Sequence, residues 1–169
     1  LATSYALAMA IKKMKVDIVV AGRQAIDGDT AQVGPQVAEK LGFPQVTYVE
    51  EIEKIDAKSM TIRRRLDNGI ERVRTSMPVV ITVHSSAAPC RPRIARNVMK
   101  YKHARTTQEL QDATEDYIRM FQDRPYLKLE EWGVDDIGAD EAALGLSGSP
   151  TKVKKIENVV CKAKEAKVF

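Results

Sequence analysis

Apolar residues recur at helical spacing over residues 4–14, where Tyr5, Ala6, Met9, Ala10 and Met14 share one face. Thr3 or Ser4 is placed to cap the start of this helix, and Lys12 and Lys13 near its end suit the helix dipole. Residues 17–22 (DIVVAG) form a short, continuous, β-branched apolar run, the pattern of a buried strand in a parallel sheet. A polar loop covers residues 23–29. A second helix is predicted to start between Thr30 and Pro35, with Val33, Val37, Ala38 and Leu41 on one face, and to stop at Gly42 ahead of Pro44. Helix, strand, loop, helix is the order of an α/β fold.

The pattern then changes. Residues 46–55 read as a strand; Met60, Ile62, Arg64 and Leu66 alternate; Asp67-Asn68-Gly69 signals a hairpin turn, and residues 70–75 return. Residues 78–84 (PVVITVH) are another buried-strand run. The expected fold is therefore an open, mostly parallel α/β sheet with an inserted antiparallel hairpin. Further on, a loop over 85–93 leads to a short basic helix over 94–104. A polar helix is predicted over 107–122, capped by Thr106 or Thr107, with Leu110, Ala113, Tyr117 and Met120 on one face. Residues 124–140 are irregular, 140–144 allow one helical turn, and Gly, Ser and Pro make 145–151 a loop. A basic tail, 152–169, carries Val159 and Val160 as an edge-strand candidate. This divides the chain into an α/β unit over 1–145 and an arm over 146–169.

Composition narrows the picture only slightly. The chain of 169 residues is 44% apolar and 30% charged, with a net charge of +4, as expected of a globular protein. Lys and Arg are dispersed and no aromatic RNA-binding motif is present, so nucleic acid is not an expected partner. Cys90 and Cys161 lie far apart and outside any CxxC pair, which favours free thiols over a metal or redox motif. His84 reads as a packed or hydrogen-bonded histidine and His103 as a solvated one, and neither has an acidic cluster around it to build a metal site. No apolar run approaches the roughly 18–20 residues of a membrane-spanning helix. Residues 1–14 lack the basic start and small-residue cleavage site of a signal peptide, so direct membrane insertion is not expected. The chain opens within a helix and without Met, which suggests further sequence upstream.

The segment with candidate chemistry is Gly22-Arg23-Gln24-Ala25-Ile26-Asp27-Gly28-Asp29-Thr30-Ala31-Gln32-Val33. It joins a strand to a helix N-terminus, where unpaired backbone N–H groups and the helix dipole favour an anion. Gly22 and Gly28 allow close backbone approach, Thr30 and Gln32 can hydrogen-bond phosphate or ribose, and Arg23 can neutralise a phosphate. Asp27 and Asp29 would repel a phosphate; they suit a helix cap, loop-holding Asx bonds or ribose hydroxyls. The pattern is neither GxGxxG nor a P-loop lysine motif. It admits both a nucleotide site at the carboxyl end of a strand and an ordinary βα loop with an Asp cap.

GRQAIDGDTAQVGP over residues 22–35 resembles the nucleotide-binding loop of electron transfer flavoprotein β subunits. A second stretch, from Ile62 and Arg64 through Asp67-Asn68-Gly69-Ile70-Glu71 and Val73 to Pro78, Val80, Ile81 and Thr82, resembles that family's signature around the hairpin. It departs at Asn68, where Gly or an acid is usual; Asn still suits a tight turn. A third stretch, GLSGSPTKV over 145–153, resembles the start of the family's C-terminal arm. The resemblance runs the length of the chain and implies an adenine-nucleotide-hydrolase-like, Rossmann-type sheet lacking its N-terminal part. It implies that residues 22–33 line an adenine nucleotide, AMP in ordinary members and FAD in the electron-bifurcating branch, where that FAD takes a hydride from NADH. Gly28, Thr30, Ala31 and the Gly34-Pro35 pair are more similar to the bifurcating branch. Residues 91–104 resemble the loop that docks onto acyl-CoA dehydrogenases, with the usual apolar anchor replaced by Ala95 or Ile94. The implied partner subunit is the α subunit, which the arm would wrap, and the implied location is the bacterial cytoplasm, with the mitochondrial matrix as the alternative. No catalytic side chain is implied, since the cofactor carries the redox chemistry.

Two other readings compete. Another α/β ATP- or AMP-binding module could use a similar loop, but it would not need the hairpin or the arm, and no Lys is placed to hold a phosphate. A nucleic-acid-binding protein is suggested only by the pI near 9.0. Trp132 is expected to anchor its loop to the domain or to a partner, and the acids at 130, 131, 135 and 136 to be solvated. Cys90, beside Arg91, is read as an ordinary loop thiol.

Overall fold

The computed structural model describes residues 1–26, 28–111 and 115–149. The candidate site residue Asp27, Ala113, Cys161, the Val159-Val160 strand and nearly all of the arm lie outside the described residues.

Five strands form one sheet in the order β1 (Ile18–Gly22), β5 (Val79–Val83), β2 (Gln45–Ile55), β3 (Ser59–Leu66), β4 (Gly69–Ser76). β1 and β2 run parallel to β5 on either side of it, whereas β2–β3 and β3–β4 are antiparallel. This is the mostly parallel core with an added hairpin that the pattern predicts. β5 alternates its contacts across the sheet. Val79 and Ile81 join Val46, Val49, Met60 and Ile62 in the core on one face, and Thr82 faces α2 (Val33–Leu41) on the other. α1 (Ala2–Met14) packs on α2, and Ser4 Oγ donates to Gln36 Oε1 across that contact at 2.9 Å.

β1 departs from expectation. It is parallel, but it is the edge of the sheet and half-exposed, with Val20 63% exposed. Among the described residues nothing pairs with its outer side, so its apolar character is not matched by burial. Two caps also differ. Leu1, not Thr3 or Ser4, caps α1; Ser4 sits inside the helix, with its Oγ 2.8 Å from Leu1 O. Gln32 occupies the cap position of α2 without a side-chain cap bond, while Gly42 ends that helix at φ 67°, as expected of a left-handed C-cap.

The hairpin turn forms with Asn68 in place. Leu66 pairs with Gly69, leaving Asp67-Asn68 as the two-residue connection, and Gly69 takes the positive φ of 143°. The basic helix is shorter than predicted, α3 (Ala95–Lys100). The polar helix starts later, α4 (Glu115–Asp123). Thr106 and Glu109 form a reciprocal pair: Thr106 N–H donates to Glu109 Oε2 at 2.9 Å and Glu109 N–H to Thr106 Oγ1 at 3.2 Å. This is the geometry of a capping box, but turns and not an α-helix follow it through Gln111. β6 (Arg105–Thr106) pairs with β7 (Lys128–Leu129) in a separate small parallel ladder. A single 3₁₀ turn, Glu141–Ala143, stands where one helical turn was predicted, capped by Asp140 Oδ1 accepting from Ala142 N–H at 3.0 Å. Lys13 lies 4.3 Å from the centre of the Trp132 ring, and Asp140 N–H donates to Tyr5 Oη at 3.1 Å, so α1 holds this loop as expected of Trp132. His103 is half-buried and engaged with neighbours, not simply solvated. Among the described residues, no helix is long and apolar enough to cross a membrane, and no cluster of His, Cys, Asp and Glu could hold a metal ion.

Gly34 positions α2. A Cβ at this residue would stand 2.7 Å from Thr82 Cγ2 and 3.7 Å from Ala21 Cβ, so the helix reaches the sheet only because the side chain is absent. Gly34→Ala is expected to lower stability by about 1–3 kcal/mol, the range for overpacking a tight contact. Denaturant unfolding of the protein checks it, and an unchanged midpoint would mean that α2 does not need this approach.

Candidate functional site

The loop that follows β1 ends at the N-terminus of α2 and closes around a cavity of about 330 Å³. Ten of the twelve predicted site residues line it: Gly22, Arg23, Gln24, Ala25, Gly28, Asp29, Thr30, Ala31, Gln32 and Val33. Ile26 is fully exposed at the loop tip and does not line the cavity, and Asp27 lies outside the described residues. Ala21, which the sequence pattern did not single out, and Gly34 of the Gly34-Pro35 pair complete the wall.

The loop is held by its own polar groups. Gln24 Nε2 donates to Asp29 Oδ1, and Asp29 N–H donates to Ala25 O at 3.0 Å. Asp29 thus serves to hold the loop and does not cap α2. Gln32 Oε1 accepts from Gln36 Nε2 at 3.2 Å, and Gln36 accepts in turn from Ser4, which ties the loop end to α1. That arrangement engages the carbonyl of Gln32 and leaves its amide nitrogen as a donor. Asp29 and Ala31 both take φ of 52°, a left-handed conformation that costs a residue with a Cβ about 1–2 kcal/mol. Backbone held this way tends to cluster at ligand clamps.

The fit to an anion can be judged from this geometry. Cβ atoms built on Gly22 and Gly28 would meet nothing within 4 Å, so the space beside both residues is open within this chain. The first turn of α2 has no side-chain cap. Its N–H groups at Val33 and Gly34 are therefore among the orphan donors of a helix start, on the positive end of the dipole. Pro35 has no N–H to lose at that point. These residues fit a phosphate-bearing ligand: glycine openings, free backbone donors, Gln32 and Thr30 side chains, and the Arg23 guanidinium at the rim.

A second cavity of about 540 Å³ lies next to the first and shares Arg23 with it. Tyr48, Arg65, Leu66, Asp67, Asn68 and His84 form the rest of its wall. Periodicity in the sequence does not reveal it, because two β-bulges in β2 create it. From Val46 to Val49 the strand advances three residues while β5 advances two, from Ile81 to Val83. From Val49 to Glu51 it advances two while β3 advances one, from Arg64 to Arg63. Tyr48 takes a φ of 59° in the first bulge, and its N–H donates to Thr82 Oγ1 at 3.3 Å. Glu50 is the extra residue of the second, and its side chain is only 4% exposed. Bulges re-aim side chains in this way. The signal available in the sequence was the loss of alternation in Tyr48-Val49-Glu50-Glu51.

Glu50 holds Arg65, one of the residues that line this cavity. Its Oε1 accepts from Arg65 Nε at 2.5 Å and from the Ser86 hydroxyl, and Ser86 Oγ lies 2.7 Å from His84 Nδ1. His84 is thus hydrogen-bonded, as expected of it. The Ser86 hydroxyl and then the Arg65 guanidinium hold the Glu50 carboxyl below its ordinary value near 4.5. A carboxylate whose folded value is depressed contributes stability above its unfolded value and loses that contribution as pH falls through the folded one. Stability should therefore fall as the pH is lowered below about 4.5. Glu50→Gln should flatten that part of the profile. Unfolding midpoints measured from pH 3 to 7 check this (about the carboxylate range); parallel profiles for both proteins would show that Glu50 is not the group responsible.

The fold and the loop define an α/β protein of the type that binds ligands at the carboxyl ends of parallel strands. Similarity to known proteins narrows this. The electron transfer flavoprotein domain model matches residues 1–113, and the chain belongs to the electron transfer flavoprotein family. It is 45% identical over 155 residues to the electron transfer flavoprotein subunit beta of Clostridium acetobutylicum, covering 92% of this chain and 51% of that protein. It is 40% identical over 153 residues to the caffeyl-CoA reductase-Etf complex subunit CarD of Acetobacterium woodii, covering 90% and 49%. Protein FixA of Rhizobium meliloti is 37% identical over 164 residues, covering 92% and 48%. The chain spans about half the length of the curated relatives it matches.

Proposed function

We propose that this chain is part of an electron transfer flavoprotein β subunit and that its loop 22–33 holds an adenine nucleotide, FAD in a bifurcating protein or AMP in a simple carrier. The observation that carries the proposal is the cavity between β1 and α2, where ten loop residues surround open backbone and an uncapped helix start. The phosphates would rest against the amides of Val33 and Gly34, with Thr30 and Gln32 as side-chain donors and Arg23 balancing charge. No side chain acts as nucleophile or base. The cofactor supplies the electron transfer, and the protein's part is to bind, orient and shield it.

On this reading the unit over 1–145 is the nucleotide domain and the arm over 146–169 contacts an α subunit, which supplies the rest of the flavin environment. NADH is the electron donor in the bifurcating case. Residues 91–104 would dock an acyl-CoA dehydrogenase in a cytoplasmic setting. In support, Ile94, Val98 and Met99 are exposed among Arg91, Arg93, Arg96 and Lys100, the mix of apolar anchors and Arg common at interfaces.

The test uses the full-length protein co-expressed with its α subunit. The purified complex is denatured and the released nucleotides are separated by chromatography. Two FAD per heterodimer are expected if this site holds flavin, and one FAD with one AMP if it holds the mononucleotide. A single FAD with no second adenine nucleotide would contradict the proposal.

A further inference from the structure

The hairpin ends the sheet on β4, and the outer side of that strand is open. Its ladder with β3 runs without a bulge from Ser59 opposite Ser76 to Leu66 opposite Gly69. Leu66 and Gly69 close the two-residue turn as a hydrogen-bonded pair, so the bonded positions recur at Glu71, Val73 and Thr75. The N–H and C=O groups of Ile70, Arg72 and Arg74 therefore point away from β3. Among the described residues no strand pairs with them. An edge of this kind is normally kept short, bulged, broken by Pro or covered. β4 is 8 residues long, regular and without Pro, and it carries charge instead.

The outward positions place their side chains on the sheet face opposite Met60 and Ile62, beside Thr61, Arg63 and Arg65 of β3. Arg63 stands directly opposite Arg72. Arg63 pairs with Glu51 at 2.9 Å, Arg65 with Glu50 at 2.5 Å and Arg72 with Glu53 at 2.8 Å. Arg72 makes that contact through Nε, which leaves its terminal nitrogens as donors. Arg74 donates to the Ser59 hydroxyl at 3.2 Å and has no acidic partner among the described residues. Both Arg72 and Arg74 are exposed. A second copy of β4 paired antiparallel about Arg72 or Val73 would set arginine opposite arginine, which is destabilising. An added strand with acids at every second position makes the same contacts favourable. Ile70 is the one large apolar side chain among these outward positions, so the stripe lacks the apolar centre of a permanent subunit interface.

We infer that β4 is a docking edge for an extended acidic segment of a transiently bound partner protein, which adds as a further strand and sets its acids, two residues apart, against Arg72 and Arg74. Main-chain hydrogen bonds to the outward groups supply the affinity, and the two arginines select an acidic strand over a neutral or basic one. The surface lies apart in the chain from residues 91–104, and it stands whether or not the loop over 22–33 holds a nucleotide.

Residue-resolved hydrogen exchange on the full-length protein in complex with its α subunit tests this. It is measured without peptide and with synthetic peptides the length of β4, one alternating Glu with Thr and one alternating Lys with Thr. The Glu-Thr peptide should slow the amides of Ile70, Arg72 and Arg74, which exchange freely without it. Glu71, Val73 and Thr75, already bonded to β3, should not change, and the Lys-Thr peptide should slow none of them. Arg74→Glu should weaken the Glu-Thr peptide about tenfold, because a favourable cross-strand charge pair becomes a repulsive one. Arg74→Lys should bind it much as the parent does. Ile70→Pro removes one outward N–H and keeps both arginines; it should weaken the peptide by about threefold or more, the usual effect of one lost hydrogen bond. Positions 70 and 74 are both exposed, so neither variant disturbs the core. Equal slowing by the two peptides, slowing by neither, or an acidic-peptide affinity that Ile70→Pro leaves unchanged would overturn the docking edge. Outward amides already protected in the complex before peptide is added would overturn it too, since the α subunit would then occupy the edge permanently.

Discussion

One strand, β2, pairs with neighbours of opposite sense within one sheet. Over Gln45–Val49 it pairs parallel to β5, and beyond Val49 it pairs antiparallel to β3. Val46 and Val49 lie three residues apart, so a regular pleat would put them on opposite faces instead of in one core with Met60 and Ile62. The two bulges around Tyr48 and Glu50 resolve the conflict. They preserve the apolar register and move one aromatic and one acid out of the alternating pattern. Tyr48 goes to the carboxyl end of the parallel strands, and Glu50 goes inward, where Arg65 and Ser86 satisfy one of its oxygens. The second oxygen of Glu50 has no hydrogen-bond partner among the described residues. Its remaining compensation is the Arg63 guanidinium, whose Nε lies 3.9 Å away.

A chain of dependencies connects this strand to the loop. Thr82 on β5 accepts the strained Tyr48 amide through its hydroxyl and meets Gly34 of α2 through its methyl. A single threonine therefore couples the bulge to the seating of α2. The seating of α2 then fixes where the loop from Gly22 must end, and α1 reinforces it through Ser4, Gln36 and Gln32. The sheet beyond is fastened by ion pairs on the hairpin, Arg64 with Glu71 at 2.6 Å and Arg72 with Glu53 at 2.8 Å. Such exposed pairs contribute little each, typically under about 1 kcal/mol, so the hairpin depends mainly on the burial of Met60 and Ile62.

Much of this was legible in the sequence because it rests on local patterns. The runs DIVVAG and PVVITVH, the turn at Asp67-Asn68-Gly69 and the stop at Gly42 each report a backbone state through their own residues. The loop 22–33 was legible for the same reason, since glycines between a strand and a helix mark backbone left open to close approach. What was not legible depends on partners distant in sequence. The exposure of β1 depends on what pairs with its outer side, not on its own apolar residues. The capping box at Thr106 and Glu109 forms its hydrogen bonds, yet turns follow it, so the local signal alone does not make a helix there. The second cavity needs Arg23, Tyr48, Arg65 and His84 from four separate segments, and no spacing in the chain brings those together.

Under the proposed function, the loop between β1 and α2 holds the adenine nucleotide. Hydrogen exchange on the full-length complex, stripped of nucleotide and then reloaded with AMP, reads this most directly. The account predicts that protection on reloading concentrates in the amides of residues 22–34, above all Val33 and Gly34 at the start of α2. Unchanged exchange across those residues, with protection appearing elsewhere, would contradict it.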